Sequence, residues 1–494
     1  MEAIPVEVYA AAQVRAMDRY AIEQAGISGY TLMQRAGAAA LATLGRRWPG
    51  VSSIAVLCGS GNNAGDGYVL ASLAGAAGLK AQVFALTDPA RLKGDAATAF
   101  ADFAAAGHRH ASFDASALRG SGLVVDALLG TGADRPVEGM LRDCINAVNA
   151  SALPVLALDV PSGLDADTGL PHGAAIRATC TITFVGLKSG LYLGEAPDHV
   201  GLLEFAGLGI PAAAHAAQPP VLRRITAELL AATLPPRRRS AHKGEHGRVL
   251  IIGGFAMAGA ARLAGEAALR TGAGLVSIAT SEKSAAAIVA GQPELICHAL
   301  RSAAGLEPLL GAADAVAIGP GLGLGRGMPK LLAAAAGAGK PLVVDADALT
   351  LLSRHPKQHA HWILTPHPGE AARLLGSEVA SVQRDRLDAV REIVARYGGI
   401  CVLKGANTLV HSATAGTWVC DRGNPGMATA GTGDVLTGVI VALLASGGDS
   451  LQCALAGVLL HAESGDRAAH AGERGLIAGD LIAQLHRAVN EPWK

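Results

Sequence analysis

The chain has 494 residues, of which half are hydrophobic, only 3% are aromatic and 63 are glycine. This length predicts more than one domain, and the composition is typical of a globular α/β protein rather than a disordered chain. Lys plus Arg and Asp plus Glu each number 41, so the formal net charge is zero. That balance does not indicate the basic surface of a nucleic-acid-binding protein and favours a small-molecule partner.

The seven cysteines are scattered without a CxxC pair, so they predict neither a disulfide framework nor a zinc site. The longest apolar runs, such as residues 439–445, are too short to span a bilayer. The first residues also lack a basic segment followed by an apolar one. We therefore expect a soluble, cytoplasmic protein that has no membrane partner.

In the first half, short β-branched runs alternate with alanine-rich helical stretches. The predicted strands are residues 54–58, 82–86, 123–128, 155–160 and 181–185. This rhythm predicts βαβ units in a Rossmann-like parallel sheet with helices on both faces. Glycine-rich or polar segments follow three of the strands, at the edge where such sheets bind ligands. We expect these three segments to line one pocket.

The α/β rhythm lapses in a proline-rich stretch before it resumes, which predicts an N-terminal domain at residues 1–215, a linker at 216–240 and a second domain at 241–494. The second α/β domain has predicted strands at residues 249–252, 275–279, 315–318, 342–344, 362–364 and 401–403. Residues 408–411 and 417–420 then predict a β-hairpin before the chain returns to helix at Asp434.

The first glycine loop, residues 59–67, follows a predicted strand and opens a predicted helix. A helix N-terminus of this kind favours a bound anion. Residues 59–64 also fit the dinucleotide fingerprint loosely, with Asp88 at the expected ribose-binding position. At this point an NAD-dependent dehydrogenase remains an alternative.

Polar side chains in this loop exceed what a pyrophosphate site needs, since Asn62, Asn63 and Asp66 lie within one turn. Further oxygen-bearing side chains lie at the ends of the third and fourth predicted strands, among them Asp126 and Asp159. Such ligands suit a hard cation or acid/base chemistry rather than zinc. The alternative is that these residues only cap helices and turns.

Three motifs, at residues 62–67, 125–132 and 159–163, resemble those of the NAD(P)H-hydrate epimerases, and the similarity covers most of residues 10–210. The resemblance implies an acid/base role for Asp159. It implies that the substrate dinucleotide is bound by Asn62, Asn63, Ala64, Gly65, Asp66, Gly130, Thr131, Gly132, Ala133, Asp134, Arg135, Pro136 and Asp159. It also implies a potassium ion (K⁺) held by Asn63, Asp126 and Ser162. Ala64 stands where the family usually has glycine, so it would be mildly strained if that position requires a positive φ.

In the second half, Asp434 lies in the glycine-rich stretch 423–438 at the start of a predicted helix. The amides there would form a cradle for a phosphoryl group in transfer. A carboxylate beside it can act as a general base, which typically contributes about 10² to 10⁴ in rate. The alternative is an ordinary helix cap. Lys404 follows another predicted strand and adds a cation, and the chain contains no Walker loop.

The Gly-Thr-Gly-Asp turn, the strand-end lysine and the hairpin look like the ribokinase-like fold. Six ordered segments, at residues 242–244, 253–261, 319–323, 345–349, 365–370 and 424–434, together resemble the NAD(P)H-hydrate dehydratases over nearly all of residues 240–490. The resemblance implies that the hydrated nicotinamide nucleotide contacts Ala260, Gly323, His367 and Asp434. It implies that ADP or AMP is bound by Lys404, Gly405, Ala406, Asn407, Thr408 and Gly433.

The two resemblances imply an enzyme that acts on NADH hydrate and NADPH hydrate. One half would interconvert the two C6 epimers, and the other would dehydrate the S epimer with ADP as phosphoryl donor and Mg²⁺ as metal ion, releasing AMP and phosphate. The order of the two halves resembles the prokaryotic, ADP-using branch. The rivals are a ribokinase-like small-molecule kinase fused to a nucleotide-binding regulatory domain, and a non-enzymatic dinucleotide sensor. The amphipathic region 9–44 predicts a homo-oligomer.

Overall fold

The computed structural model describes residues 2–132 and 136–491. The chain folds as two compact units, Met1–Arg223 and Arg224–Lys494. None of the helices in these described ranges combines the length and the apolar character needed to cross a bilayer. The stretch 216–240, predicted as a linker, contains the strand Leu222–Arg224 and the helix Glu228–Thr233.

The first unit is a parallel sheet flanked by helices. Its strands are β1 Glu7–Tyr9, β2 Ser53–Cys58, β3 Lys80–Ala85, β4 His110–Ser112, β5 Leu123–Ala127, β6 Val155–Leu158, β7 Cys180–Phe184, β8 Leu187–Lys188, β9 Leu202–Ala206 and β10 Leu222–Arg224. Its helices are α1 Ala11–Glu23, α2 Gly29–Arg47, α3 Asn62–Ala76, α4 Gly94–Ala105, α5 Gly139–Ala150 and α6 Ala212–Ala216. The five strands predicted for this half are confirmed, with ends that differ by one or two residues.

Strand order places the ligand-binding edge of this sheet. The order is β4-β3-β2-β5-β6-β7-β9, and each neighbouring pair is parallel. From β2 the chain adds β3 and β4 on one side of the sheet. It then crosses to the other side of β2 and adds β5, β6, β7 and β9. The loops after β2 and β5 therefore flank the point where the strand order reverses. Open α/β sheets bind ligands at that crevice. Separately, β1 pairs parallel with β8 and antiparallel with β10.

Close packing of α3 on the sheet explains one glycine of the first loop. A Cβ atom at Gly67 would lie 2.7 Å from the Cβ of Ala127 and 3.1 Å from the Sγ of Cys58. Any side chain there would force α3 away from β2 and β5, which are buried apart from the first residue of β2, Ser53. Gly67 thus sets the distance at which the loop before α3 meets the strand ends.

The second unit is another parallel sheet, extended by a hairpin. Its strands are β11 Arg248–Ile252, β12 Leu275–Thr280, β13 Ile296–Ala299, β14 Ala315–Ile318, β15 Leu342–Val344, β16 Trp362–Leu364, β17 Ile400–Leu403, β18 Leu409–Ser412 and β19 Gly416–Val419. Its helices are α7 Glu228–Thr233, α8 Ala258–Thr271, α9 Glu282–Gly291, α10 Glu307–Ala312, α11 Met328–Gly337, α12 Ala346–Arg354, α13 Pro368–Leu375, α14 Val379–Arg384, α15 Arg386–Tyr397, α16 Thr432–Ala445, α17 Ser450–Ala468 and α18 Ala478–Ala488.

The strand order in this unit is β13-β12-β11-β14-β15-β16-β17-β18-β19. The strands from β13 to β17 run parallel, whereas β17, β18 and β19 pair antiparallel, so the predicted hairpin is confirmed. The predicted motifs after β11, β14, β15, β16 and β17 consequently share one edge of the sheet.

Helix α16 passes through the core of the second unit. Every residue from Val435 to Ala445 is buried, as expected for a helix that is apolar on all sides. A Cβ atom at Gly438 would lie 2.1 Å from the backbone oxygen of Ala264 in α8, so this glycine allows the two helices to touch. Packing on all sides fixes the position of the N-terminus of α16, where Asp434 lies.

Candidate functional site

A cavity of about 430 Å³ opens at the switch point of the first sheet. It is lined by the loops after β2, β5, β6 and β7 and by α1 and α2. Of the residues implied for substrate binding, those that line it are Asn62, Asn63, Asp66, Gly130, Thr131, Gly132 and Asp159. Among the described residues, Ala64, Gly65 and Pro136 do not line it. Ala133, Asp134 and Arg135 lie outside the described residues.

The position of Ala64 resolves the question of strain in this loop. Ala64 is fully buried in the first turn of α3 and does not have a positive φ. Alanine therefore fits here without backbone strain, because the position is helical and the condition for strain, a positive φ, is not met.

Asp159 is held by a network that the sequence did not reveal. It follows β6 with φ 68°, in the left-handed region. Its Oδ1 accepts hydrogen bonds from Lys188 Nζ, from Thr183 Oγ1 at 3.3 Å and from Phe184 N at 3.3 Å. Lys188 is only 1% exposed and also donates to Thr183 Oγ1 and the Phe184 carbonyl, at 3.0 and 2.7 Å. The Asp159 carboxylate is thus oriented by a buried cation.

Further carboxyl groups share this cation. Burial, together with the charges of Asp159 and Asp18, raises the pKa of Asp66 well above its usual value. Burial raises the pKa of Asp18 in α1 to about 6, although the Lys188 charge acts in the opposite direction. Burial therefore disfavours the charged forms of Asp66 and Asp18, which makes these two carboxyl groups better able to carry a proton than exposed ones.

A second polar cluster lies behind the cavity. Asp126 is fully buried, and its carboxylate accepts hydrogen bonds from Ser162 N at 2.8 Å and Ser162 Oγ at 2.5 Å. Asn63 Nδ2 donates to the carbonyls of Leu129 at 2.7 Å and Leu158 at 3.2 Å. The Asn63 Oδ1 atom is buried without a hydrogen-bond partner in the described structure. A buried oxygen left unpaired is the kind of ligand that a hard cation satisfies, so the three residues implied for K⁺ fit such an ion.

The cluster is built of oxygen atoms from several residue types. Burial raises the pKa of Asp126 to about 6, although its hydrogen bonds from Ser162 lower it. Across residues 2–132 and 136–491 there is no group of three or more His, Cys, Asp and Glu side chains arranged for a metal ion. A cation at Asn63 would therefore depend on amide, hydroxyl and carbonyl oxygens as well as one carboxylate.

The second site centres on an ion pair between strand ends. Asp345 follows β15, is 1% exposed, and accepts hydrogen bonds from Lys404 Nζ at 2.7 Å and from Thr437 Oγ1 in α16 at 2.8 Å. Glu370 Oε2 lies 3.7 Å from the same Nζ. Burial lowers the pKa of Lys404, but the charges of Asp345 and Glu370 outweigh it and raise the pKa overall. Lys404 is therefore a fixed cation at this edge.

Asp434 lies in the first turn of α16, beside this cation. Burial and then the charge of Asp345 raise its pKa to about 7, against the opposing effect of Lys404. A Cβ atom at Gly433 would lie 3.3 Å from Lys404 Nζ, so the ammonium group sits directly over the start of the helix. A carboxyl group that titrates near neutral pH, next to amides and a cation that attract phosphate, suits proton transfer during phosphoryl chemistry.

Other residues implied for this site lie on neighbouring loops. His367 caps the N-terminus of α13, where its Nδ1 accepts a hydrogen bond from Gly369 N at 3.0 Å. Burial lowers the pKa of His367. Gly323 has φ 79° and donates its N–H to Asp347 Oδ2 at 2.7 Å. Ala260 lies in the first turn of α8. These loops follow β11, β14 and β16 and therefore share the edge that holds Lys404.

Comparison with known proteins decides the family. One family model, described as the N-terminus of YjeF-related proteins, matches residues 29–190, and one described as NAD(P)H-hydrate dehydratase matches residues 249–487. A bifunctional NAD(P)H-hydrate repair enzyme from Coxiella burnetii is 44% identical over 98% of this chain and 99% of that protein. Another from Escherichia coli is 43% identical over 99% of this chain and 95% of that protein.

This chain belongs to the family of bifunctional NAD(P)H-hydrate repair enzymes. It is an enzyme with an epimerase half and a dehydratase half. A solved ribokinase-like superfamily protein from Enterococcus faecalis has a TM-score of 0.50 and 27% sequence identity, and the match covers 55% of this chain and 96% of that protein. The predicted ribokinase-like unit is thereby confirmed, and the parallel sheet of the first unit, flanked by helices, agrees with the predicted Rossmann-like sheet.

Several site residues of the repair enzyme were missed from the sequence. Lys188 follows an apolar stretch and was not singled out. A lysine beside a predicted buried strand could have indicated a functional charge there. His461 lies in α17 and donates from Nε2 to the carbonyl of Thr432 at 2.9 Å, at the start of α16. Burial lowers the pKa of His461 to about 4, so the ring is neutral at neutral pH. Asp18 gave no signal, because only the fold brings α1 to the cavity.

Proposed function

We propose that residues 1–215 interconvert the C6 epimers of NADH hydrate and NADPH hydrate, and that residues 241–494 dehydrate the S epimer with ADP. The observation that carries the proposal is the position of Asp434 at the N-terminus of α16, beside the Lys404 ammonium group. The supporting finding is the family membership of the whole chain.

In the dehydratase half, the chemical difficulty is the C6 hydroxyl, which is a poor leaving group. Asp434 removes the proton of this hydroxyl, which then attacks the terminal phosphoryl group of ADP. Lys404 and the adjacent amides hold the phosphates and stabilise the charge that develops during transfer. AMP is released by this phosphoryl transfer. The lone pair of the ring nitrogen then expels phosphate from C6 to give an iminium, and loss of one proton from C5 to the released phosphate or to water restores the C5–C6 double bond.

A magnesium ion is expected with the nucleotide, since Mg²⁺ usually binds through one or two carboxylates together with substrate phosphates. Acidic side chains surround Lys404, and we propose Glu370 and Asp347 as the protein ligands. Bound there, the ion would neutralise negative charge on the phosphates. Asp434 is left to act as the base.

In the epimerase half, inversion at C6 requires the hydroxyl to leave and to return on the opposite face of the ring. One group must deliver a proton to the departing oxygen and recover it from the returning water. We assign this role to Asp159, with Lys188 orienting its carboxylate. The remaining acidic groups of the cavity, Asp18 and Asp66, supply the proton reservoir. K⁺ at Asn63, Asp126 and Ser162 would hold the loops after β2 and β5 in place.

The homo-oligomer stays a prediction. The apolar residues of α1 and α2 that suggested an interface, such as Met17 and Leu32, are buried in the core of the first unit. Their apolar character is thereby explained within one unit. Sedimentation equilibrium of the purified protein would measure the oligomeric state.

The test uses purified full-length protein with mixed epimers of NADH hydrate, Mg²⁺, K⁺ and ADP, and follows the return of NADH absorbance. Wild type should convert both epimers, Asp434→Ala neither, and Asp159→Ala only the epimer that the dehydratase accepts. Replacing K⁺ by Li⁺ should slow conversion of the other epimer selectively. If no absorbance returns with ADP or ATP, the proposal is wrong, and a stable phosphorylated product would instead support the kinase.

A further inference from the structure

Arg386 is a buried arginine with an unusual set of partners. It begins α15 and is only 7% exposed. Its Nη1 donates to the carbonyl of Ala406 at 2.5 Å, and its Nη2 donates to the carbonyls of Leu403 at 3.2 Å and Lys404 at 3.5 Å. One guanidinium group therefore donates to three carbonyl oxygens, one at the end of β17 and two in the loop that follows it.

This arrangement fixes the direction of the loop amides. In a trans peptide the C=O and N–H bonds point in opposite directions. Because the carbonyls of Lys404 and Ala406 face the guanidinium, the N–H groups of Gly405 and Asn407 are directed away from it. Both residues have backbone angles in the left-handed region, with φ values of 142° and 52°. The chain is thus shaped so that two amides face the side opposite Arg386.

Close packing shows that the loop is fitted around the side chain. A Cβ atom at Gly405 would lie 3.2 Å from Arg386 Nη2, closer than nearly all real Cβ contacts. Glycine at position 405 therefore serves the approach of the guanidinium as well as the backbone angle. A shorter side chain at position 386 would leave the carbonyls of Leu403, Lys404 and Ala406 without these hydrogen-bond donors.

Charge adds to this geometry. Within the described ranges no carboxylate lies at ion-pair distance from Arg386, since its contacts are to backbone carbonyls. Burial lowers the pKa of Arg386 to about 10, so the side chain stays charged at neutral pH. A buried cation without a counter-ion attracts an anion bound on the far side of the loop.

We propose that Arg386 is a positioning residue for the nucleotide phosphates. It turns the amides of the 404–408 loop toward the ligand and places an uncompensated positive charge behind them. It does not touch the reacting atoms. The inference rests on the proposed binding of ADP by Lys404 to Thr408, and it extends that proposal to a residue on a different element, α15.

The test compares Arg386→Gln and Arg386→Lys with Arg384→Gln, which removes an exposed arginine two residues earlier. The KM values for ADP and for S-NADH hydrate are measured separately on the full-length protein. Arg386→Gln removes both the buried charge behind the loop and the donors that orient its carbonyls, so phosphate binding should weaken. We expect Arg386→Gln to raise the KM for ADP at least about tenfold, with the KM for the hydrate changed by less than about twofold.

Arg386→Lys keeps the charge but cannot bridge three carbonyls, so its KM for ADP should lie between wild type and Arg386→Gln. Arg384→Gln should leave both KM values unchanged. Epimerase activity on the same chain reports that the first unit is intact, and thermal melting with and without ADP reports folding and binding in the second. If Arg386→Gln does not fold, the KM of Arg386→Lys for ADP, compared with that of wild type, tests the inference.

Equal increases in both KM values, or a lower melting temperature with unchanged KM for ADP, would overturn the inference, because they indicate a purely structural role. Failure of the underlying proposal looks different. In that case the wild-type protein itself shows no conversion with ADP and no melting shift on addition of ADP.

Discussion

The buried carboxyl group of Asp434 makes a specific prediction about stability. In the unfolded chain the pKa of this group should lie near its ordinary value of 3.8, whereas in the folded protein it is raised to about 7. The folded state therefore binds a proton that the unfolded state has already lost between these pH values. Stability falls as the pH rises from about 4 to about 7, because the charged form is disfavoured by burial and by Asp345.

Asp434→Asn removes this cost while keeping the size of the side chain. Raising the pKa from 3.8 to about 7 corresponds to about 4 kcal/mol of folding free energy at high pH. At pH 5 part of that cost is absent because folded Asp434 is protonated. The stabilisation by Asp434→Asn should therefore be about 2–3 kcal/mol larger at pH 8 than at pH 5.

The assay is urea denaturation of full-length wild type and Asp434→Asn at pH 5 and pH 8, followed by fluorescence. Asp388→Asn, which removes an exposed carboxylate from the same unit, is the matched control and should show no such difference. Asp434→Asn should also lose dehydration activity and keep epimerase activity. An equal gain at both pH values, or a loss of stability at pH 8, would refute the claim that Asp434 is a buried base held near neutral pH.

Three further outcomes follow from the contacts of the two sites. Lys188→Met should abolish epimerisation and leave dehydration of the S epimer intact, measured with the separated epimers; equal loss of both activities would contradict the assigned role. His461→Gln should shift acid unfolding to lower pH. Burial lowers the pKa of His461 from 6.5 to about 4, so its contribution to stability is present above pH 6.5 and is lost as the pH falls toward about 4. Glutamine does not titrate, so the variant lacks this loss. A wild-type acid transition in this variant would argue against a buried neutral histidine. Gly319→Ala should destabilise the protein by about 2 kcal/mol or more, since φ is 129° and a Cβ would lie 1.8 Å from a backbone oxygen. Gly325→Ala is the control, because a Cβ atom there would have no non-neighbouring atom within 4 Å. Its melting temperature should equal that of wild type.

The sequence predicted the strands well because each parallel strand is a short apolar run that precedes a glycine-rich or polar loop. Strands such as β14 at 315–318 and β15 at 342–344 match their predicted limits. The strands β1, β4, β8, β9, β10 and β13 were missed. Five of them have only two to four residues, which carry too little pattern to separate a strand from a loop, and β9, with five residues, begins at the exposed Leu202.

The candidate sites were predictable where motifs follow strands and were missed where tertiary packing supplies the residue. Asp159, Lys404 and Asp434 lie in motifs whose spacing already indicates chemistry. Lys188 and Arg386 lie in segments that read as ordinary core or helix, and only the packed structure brings them to a carboxylate or to loop carbonyls. The residues that orient a site carry a weaker sequence signal than those that react.

Left-handed backbone at the strand ends has a consequence for how the enzyme loses activity on heating. Asp159, Ala346 and Asn407 are not glycines, yet their φ values are 68°, 48° and 52°. Each costs on the order of 1 kcal/mol and persists only because the surrounding sheet enforces it. These turns should relax before the sheets unfold. Heat inactivation should therefore precede the loss of circular dichroism, so the enzyme can fail as a catalyst while most of its architecture is still intact.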